Sequence, residues 1–210
     1  MTVNKQSTED QILKAAEKIF LEKGFKTSKI SDIAKEAGVN NALINYYFRS
    51  KENLFNKVLH DKVALLANSL SLAADQETSF LQIIQDMVEA QFEFFKANTS
   101  LPRFILMEII PDDSRVEVFR ENIIPIILNA SMQLNDKLQQ EIKAGHIRNV
   151  SMFELLYTIT AVNVFCFIVK PVIMGASVDS LAIQFSEILN DRKGRNVEII
   201  MSYLKNITKP

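Results

Sequence analysis

The residues best suited to chemistry lie close together in the N-terminal quarter of the chain. Asn40, Asn41 and Asn45 stand within six positions of one another, and two tyrosines, Tyr46 and Tyr47, follow at once. An asparagine side chain donates and accepts hydrogen bonds, so it can pair with the edge of a nucleic-acid base. Phenol and ammonium groups suit phosphate oxygens, which position a protein on a duplex without reading its sequence. These residue types together indicate a surface that contacts nucleic acid.

The spacing of apolar residues around the asparagines predicts two short helices joined by a sharp turn. The first helix is expected to start near Ser28, whose hydroxyl would cap it, and to end at Ala37. Asn40 is expected to cap the second helix, which runs to about Tyr47. Gly38 lies between them, where a tight turn often needs a backbone conformation that side chains disfavour. This is the pattern of a helix-turn-helix.

The two short helices and the turn at Gly38 form a corner. Two further helices are needed to hold this corner in place. Apolar residues at helical spacing predict a helix over residues 9–23, with Thr8 and Gln11 as a capping box and Gly24 as its stop. Ser50 is expected to cap a long helix that leads into the rest of the chain. The first three helices would then pack as one trihelical unit.

The remaining sequence predicts helices with short joints and shows no convincing strand pattern. The expected helices cover about 79–97, 102–110, 114–144 with a break at Pro125, 151–169, and one or two segments between 180 and 206. Ser151 and Glu154 form a reciprocal cap at the start of the fourth of these. The fold class is therefore predicted as all-α. The expected domains are an N-terminal three-helix helix-turn-helix domain over 1–50 and a larger C-terminal helical domain over 51–210.

Composition and charge narrow the class of protein. The chain has 210 residues and a net charge of −1, but residues 1–51 carry nine basic and six acidic side chains. This excess of positive charge is a mild indication of a nucleic-acid partner. The single cysteine, Cys166, excludes an internal disulfide framework and fits a cytoplasmic protein. The apolar stretch 155–169 is shorter than a membrane span needs, so we expect a core helix buried on nearly all sides and no membrane partner.

Three motifs in residues 9–55 resemble the DNA-binding domain of the TetR-type (TetR/AcrR) bacterial transcriptional regulators. The motifs read ILKAAEKIFLEKGF, ISDIAKEAGV and YYFRSKENLF. The resemblance implies that Asn41, Ala42 and Leu43 face bases and that Asn40 caps their helix. The residues that it places along the DNA backbone are Ser28, Lys29, Asn45, Tyr46, Tyr47 and Lys51. Many members of that family have tyrosine at the position of Asn45, so base reading by Asn45 also stays open.

The same resemblance implies that the C-terminal domain binds a small effector and forms a homodimer. The aromatic and methionine residues that could line an apolar effector site are Phe92, Phe95, Phe104, Met107, Phe119 and Tyr157. Two apolar helices per subunit could build a four-helix dimer interface. Its predicted residues are Phe165, Val197, Ile200, Met201 and Leu204. A twofold dimer would set two reading helices about 34–36 Å apart, one turn of DNA.

These observations predict a ligand-responsive transcriptional regulator, specifically a repressor, that binds a pseudo-palindromic double-stranded operator and is released by a largely apolar effector. No catalytic residue, metal site or cofactor is predicted. Two other classes stay open. One is a helical protein-interaction module that has the corner but does not bind DNA. The other is an all-α magnesium-dependent enzyme that uses the acidic pair Asp112 and Asp113.

Overall fold

The computed structural model of the chain describes residues 7–72, 78–175 and 179–205, and it contains helices and no strands in these ranges. A single π-helical turn over Ile105–Ile109 interrupts the otherwise α-helical succession. The helices in chain order are α1 (Thr8–Lys23), α2 (Ile30–Ala37), α3 (Asn41–Phe48), α4 (Lys51–Leu72), α5 (Phe80–Ala97), α6 (Leu101–Phe104), α7 (Asp113–Lys143), α8 (Met152–Met174) and α9 (Asp179–Lys205). The all-α fold class is confirmed.

The chain divides into two compact units that do not follow a single cut in the sequence. The first unit combines the segment that ends at Ala64 with Phe104–Ile123. The second comprises Leu65–Arg103 and the chain from Ile124 onward. The sequence predicted one division at residue 50. Apolar periodicity cannot reveal that Phe104–Ile123, the returning segment, packs with the first helices.

The caps of the first two helices differ from the prediction. Ser7, one residue before Thr8, caps α1, since its hydroxyl accepts a hydrogen bond from the Asp10 amide at 3.1 Å. Helix α2 begins at Ile30, and Lys29 is its N-cap without a side-chain bond. The Ser28 hydroxyl instead donates to the Phe25 carbonyl at 2.8 Å. The predicted stop at Gly24 is confirmed, with φ 78°.

Aromatic side chains make the core of the first unit. Phe20, Phe25 and Phe55 pack as a triangle, with ring centroids 4.9–5.9 Å apart and mostly edge-on, an arrangement that aromatic quadrupoles favour. Phe104, from the returning segment, adds a fourth ring 5.1 Å from Phe55. Outside this core, Lys18–Glu36 and Lys23–Asp32 ion pairs connect α1 to α2. The aromatic core therefore joins α1, the α1–α2 connection, α4 and α6.

The second unit is built on α5, α8 and α9. Apolar residues from these helices and from α7 form its core, including the fully buried Ile83, Leu138, Leu155, Ile200 and Leu204. Three buried amide side chains form a hydrogen-bonded row across this core. Its hydrogen bonds join Gln91 to Asn163 and Asn163 to Asn196, at 3.0 and 2.8 Å. Because a buried amide without a hydrogen-bond partner costs free energy, this row fixes the register of α5, α8 and α9.

Two prolines lie inside helices without ending them. Pro125 lies within α7, where the sequence predicted a break, and Pro171 lies within α8, which continues to Met174 instead of stopping near 169. A proline removes one helical hydrogen bond and crowds one carbonyl, a local cost that long helices can tolerate. The predicted helix over 102–110 divides into α6 and the π-helical turn.

Helix α8 is more exposed than predicted. Only 28% of its most apolar window is buried, and Phe153, Tyr157 and Phe165 are 79%, 68% and 65% exposed. The expectation of a helix covered on nearly all sides is therefore wrong for the single chain. In the described ranges α8 alone has the length and hydropathy of a membrane span, a test that core helices of soluble proteins also pass.

Candidate nucleic-acid interface

The turn between α2 and α3 depends on the backbone of Gly38. Its φ and ψ of 68° and 29° lie in the left-handed region, and its amide donates to carbonyls in the last turn of α2. The Val39 amide then bonds the Ala34 carbonyl at 3.0 Å, which closes the helix end. A Cβ at Gly38 would meet nothing within 4 Å, so conformation and not space requires glycine. The predicted corner is present.

Helix α3 presents one buried and one exposed face. Ile44 and Phe48 are buried, 1% and 7% exposed, and anchor the helix in the first unit. The opposite face is open to solvent, and its exposed side chains are Asn41, Ala42, Asn45, Tyr46 and Tyr47. The corner therefore presents two amides, a methyl group and two phenols on one protruding helix, the chemistry that direct base reading and phosphate contact require.

Asn40 has a structural role at the start of this helix. Its side-chain oxygen accepts a hydrogen bond from the Leu43 amide at 2.9 Å, which confirms the predicted cap. Leu43 itself is half-buried. The amides left free for recognition are then those of Asn41 and Asn45.

The two tyrosines support each other at the exposed end of α3. Tyr46 and Tyr47 are 71% and 40% exposed, and their rings meet edge to face with centroids 5.3 Å apart. Tyr47 also lies beside Phe48, 6.2 Å between centroids. This contact orders both phenols while leaving them accessible.

Lys51, which was predicted to bind a DNA phosphate, donates hydrogen bonds to the backbone of its own protein. Its ammonium donates to the carbonyls of Phe25 and Ser28 at 2.8 and 2.9 Å, and it lies 4.3 Å from the centroid of the Phe25 ring. Two of its three N–H donors are therefore used to hold the start of α4 against the α1–α2 connection. Phosphate contact by Lys51 stays a prediction, with at most one donor free for it.

Of Ser28 and Lys29, the two residues predicted at the DNA backbone before α2, only Lys29 is accessible. Lys29 is exposed beside the start of α2. Ser28 is 2% exposed and its hydroxyl points inward to the Phe25 carbonyl, so its side-chain phosphate role is corrected to a turn-forming one. The sequence could not distinguish these roles, because serine caps helices and stabilises turns with the same hydroxyl.

Arg49, which the sequence analysis did not select, has the most unusual backbone in this region. Its φ is 67° and its ψ is −43°, and it is the one non-glycine residue with positive φ in the described ranges. The Ser50 amide donates across it to the Phe48 carbonyl at 2.7 Å. This is a γ-turn of the rare, strained hand. Arg49 is exposed, directly after the predicted reading helix.

A buried cation holds the returning segment within the same unit. Arg115, 9% exposed, lies 4.0 Å from the Phe25 ring centroid and 5.1 Å from that of Phe55. Its guanidinium also donates to the Glu108 carbonyl and carboxylate at 2.9 and 3.2 Å, and Asp112 lies 3.6 Å away. Cation–π contact and two carboxylates together compensate for its desolvation.

The residues predicted for an effector site divide between the two units. Phe92 and Phe95 are buried in the second unit against Phe167, while Phe104 belongs to the core of the first unit. Met107 and Tyr157 are 64% and 68% exposed. The side chain of Phe119 lies outside the described residues. Three of these residues are buried and two are exposed. Amino-acid composition alone could not distinguish residues that pack in a core from residues that line a cavity.

The predicted dimer residues also divide into two groups. Ile200 and Leu204 are fully buried in the core of their own chain, so their interface role is corrected to core packing, and Val197 and Met201 pack partly against the same core. Phe165 is exposed, as an interface residue must be in the isolated chain. Further exposed apolar residues on α8 and α9 were not selected by the sequence analysis. They include Phe153, Val172, Ile188 and Ile199.

The acidic pair that suggested a metal-dependent enzyme has a structural explanation. Asp112 begins α7: its carboxylate accepts hydrogen bonds from the Ser114 hydroxyl at 2.6 Å and from the Arg115 amide at 3.3 Å. The Ser114 hydrogen bond holds the pKa of Asp112 below its ordinary value. Neither Asp112 nor Asp113 belongs to a group of three metal-ligating side chains among the described residues.

Burial raises the pKa of the Cys166 thiol, which disfavours the reactive thiolate.

The family model described as "Bacterial regulatory proteins, tetR family" matches residues 12–58, the segment that contains the corner and α3. Over this segment the chain is similar to that family. It is 30% identical over 119 residues to the probable HTH-type transcriptional regulator YttP of Bacillus subtilis. The aligned segment covers 53% of this chain and 55% of that protein. It is 50% identical over 52 residues to the HTH-type transcriptional repressor NicS of Pseudomonas putida, 25% of this chain and 24% of that protein. The matches thus span about half the length of these relatives or less.

Solved structures of TetR-type regulators share the fold over almost the whole chain. The hemolysin II transcriptional regulator HlyIIR superposes with a TM-score of 0.64 at 26% identity, over 95% of this chain and 97% of that one. The regulator FadR of Bacillus subtilis, solved in complex with stearoyl-CoA, gives a TM-score of 0.67 at 19% identity, over 92% and 97% of the two chains. The second likeness concerns the fold alone. These relatives are transcriptional regulators and not enzymes.

Proposed function

We propose that this TetR-type protein is a cytoplasmic transcriptional repressor that binds a pseudo-palindromic operator as a homodimer and leaves it when a largely apolar effector binds. The observation that carries the proposal is the exposed face of α3, where Asn41, Ala42 and Asn45 project from a helix anchored by Ile44 and Phe48. An anchored helix with free amides is the minimum that sequence reading in the major groove requires.

The role of each residue on this face follows from its chemistry. Asn41 and Asn45 are four positions apart, so their side chains lie on one side of α3 and can reach neighbouring base pairs. Ala42 offers its methyl group to a thymine methyl. Tyr46, Tyr47 and Lys29 surround these positions with phenol and ammonium donors that suit phosphates.

Homodimer formation is supported by the exposed apolar face of α8. Phe153 and Tyr157 stack there with centroids 6.5 Å apart, and Phe165 is a third exposed aromatic residue of the same helix. Several exposed aromatic side chains on one helix are typical of an interface. Ile188 and Ile199 on α9 supply exposed apolar side chains for the second helix of the four-helix contact.

An apolar effector is supported by the second unit and by one fold neighbour. The second unit contains a largely apolar core with several aromatic rings, and FadR, which shares this fold, was solved with an acyl-CoA. The effector can release DNA only by binding more tightly to a conformation in which the two reading helices no longer fit the operator. The segment Phe104–Ile123, which packs in the same unit as α3, offers one route for this coupling.

Selection from a random pool of duplex DNA tests the proposal. We expect purified protein to enrich a pseudo-palindrome whose half-sites are centred about 10 base pairs apart. Asn41→Ala should weaken binding to the enriched site by about 1–3 kcal/mol and relax the preference at one base pair of each half-site. Enrichment of no sequence at all would contradict the proposed function.

A matched variant separates base reading from loss of fold. Asn98→Ala is unsuitable as a control because its amide caps α5 through the Phe94 carbonyl. Gln133→Ala changes an exposed amide on α7, in the other unit, and should bind the selected site like the unaltered protein.

A further inference from the structure

Two cations stand at the junction between α3 and α4, and the structure gives them different tasks. Lys51 donates to two backbone carbonyls and covers the Phe25 ring, so most of its donor capacity is used inside the protein. Arg49 is exposed, and in the described ranges no ion pair or side-chain hydrogen bond involves its guanidinium. The accessible positive charge of this junction is therefore that of Arg49.

The backbone of Arg49 places this charge at a conformational cost. Its φ of 67° is shared, among the described residues, only with Gly24, Gly38 and Gly145. Glycine would adopt the same γ-turn without the repulsion that a Cβ introduces. A strained residue whose guanidinium has no ion pair or side-chain hydrogen bond among the described residues is available to an external partner.

The γ-turn also determines where that charge lies. The Arg49 amide bonds the Asn45 carbonyl at 3.0 Å, so the residue is fixed to the last turn of α3, and the following amide closes the turn at 2.7 Å. Arg49 therefore lies at the C-terminal end of α3, two residues after Tyr47. A guanidinium there can form paired hydrogen bonds to a phosphate while α3 lies in the adjacent groove.

We propose that Arg49, and not Lys51, is the principal side-chain cation that binds a DNA phosphate at the α3–α4 junction, and that Lys51 acts as an internal support for α4. This inference rests on the proposed function, since it names a contact of the same DNA-binding surface. Phosphate contacts do not read sequence. The contribution of Arg49 is therefore equal on any duplex.

The test is the salt dependence of binding to a mixed-sequence duplex of about 30 base pairs, long enough for two half-sites. In Arg49→Gln the slope of log K against log salt should decrease in magnitude by about 2, because each lost phosphate contact contributes about 0.9 and a dimer loses two. Affinity should decrease at least about tenfold at moderate salt. Arg49→Lys, which keeps the charge, should retain most of the slope.

Arg49→Gly distinguishes a binding role from a structural one. Removing the side chain relieves the strained φ, so the melting temperature should stay level or rise by about 2–4 °C while the salt slope decreases as in Arg49→Gln. A structural role would lower the melting temperature and the affinity together. Arg195→Gln, an exposed arginine of α9 in the other unit, is the matched charge control and should leave the slope unchanged.

The outcomes separate the two proposals. An Arg49→Gln protein with the salt slope of the unaltered protein overturns the assignment of Arg49, while the proposed function stands. Absence of salt-dependent binding by the unaltered protein overturns both.

Discussion

At the scale of single residues, the same side-chain type serves recognition in one place and architecture in another. Asn40 closes the first turn of α3, while Asn41 and Asn45 remain free on its surface. Lys51 satisfies two carbonyls, whereas Lys29 is exposed to solvent. Residue type and spacing predict that amides and ammonium groups gather here, but only three-dimensional contacts decide which of them are available to a partner.

The internal role of Lys51 gives a stability prediction. Lys51→Met keeps the length of the side chain but loses two hydrogen bonds to carbonyls and the contact with the Phe25 ring, so we expect the free energy of unfolding to decrease by about 1–2 kcal/mol. The measurement is urea unfolding followed by circular dichroism.

Lys57→Met is the control for this change, because Lys57 lies on the same helix and pairs only with Asp61 at its exposed surface. Its effect should be under about 0.5 kcal/mol. Equal effects of the two substitutions would show that Lys51 is merely another surface charge.

At the scale of helices, the sequence predicted which segments are helical better than where each helix ends and what it packs against. Apolar spacing and the Ser151 cap located most helices, since these signals are local. The continuation of α7 through Pro125 and of α8 through Pro171 was missed, because packing by distant residues can overcome a local break. The π-helical turn after α6 has no local signal either.

The return of Phe104–Ile123 to the first unit is the least predictable feature of the fold, and Arg115 joins this segment to Phe25 and Phe55. Arg115→Met should lower the free energy of unfolding by about 2–3 kcal/mol, since it removes a buried guanidinium from Phe25 and leaves the Glu108 carboxylate without its partner. Thermal and urea unfolding measure this effect.

Arg120→Met is the comparison on the same helix. Arg120 is 60% exposed in its side chain and pairs with Glu117, so its loss should cost under about 0.5 kcal/mol. If Arg115→Met unfolds no more easily than Arg120→Met, the buried cation does not anchor the segment.

At the scale of the whole molecule, the account requires two copies of the chain. The sequence predicted apolar helices at the C-terminal end but assigned Ile200 and Leu204 to an interface, although both lie in the core of their own chain. Helical periodicity shows that a face is apolar and does not show which protein covers it. We therefore propose that the contact lies on the exposed aromatic residues of α8, where Phe165 was already predicted.

Charges introduced on this face should separate the subunits. The double variant Phe153→Glu with Tyr157→Glu would place carboxylates in the proposed apolar contact, so we expect a monomer in sedimentation velocity at micromolar concentration, where we expect the unaltered protein to be a dimer. Met132→Glu, at a residue of α7 that is 67% exposed, is the control and should leave the dimer intact. A dimer that survives the double change would place the interface elsewhere.

The most direct measurement of the central claim is methylation interference on the selected operator, because the N7 atom of guanine lies in the major groove. Two paired α3 helices predict two clusters of interfering guanines, centred about 10 base pairs apart on one face of the duplex and lost together in Asn41→Ala. Interference in a single cluster, or none in the major groove, would contradict the account of α3 as a reading helix presented twice.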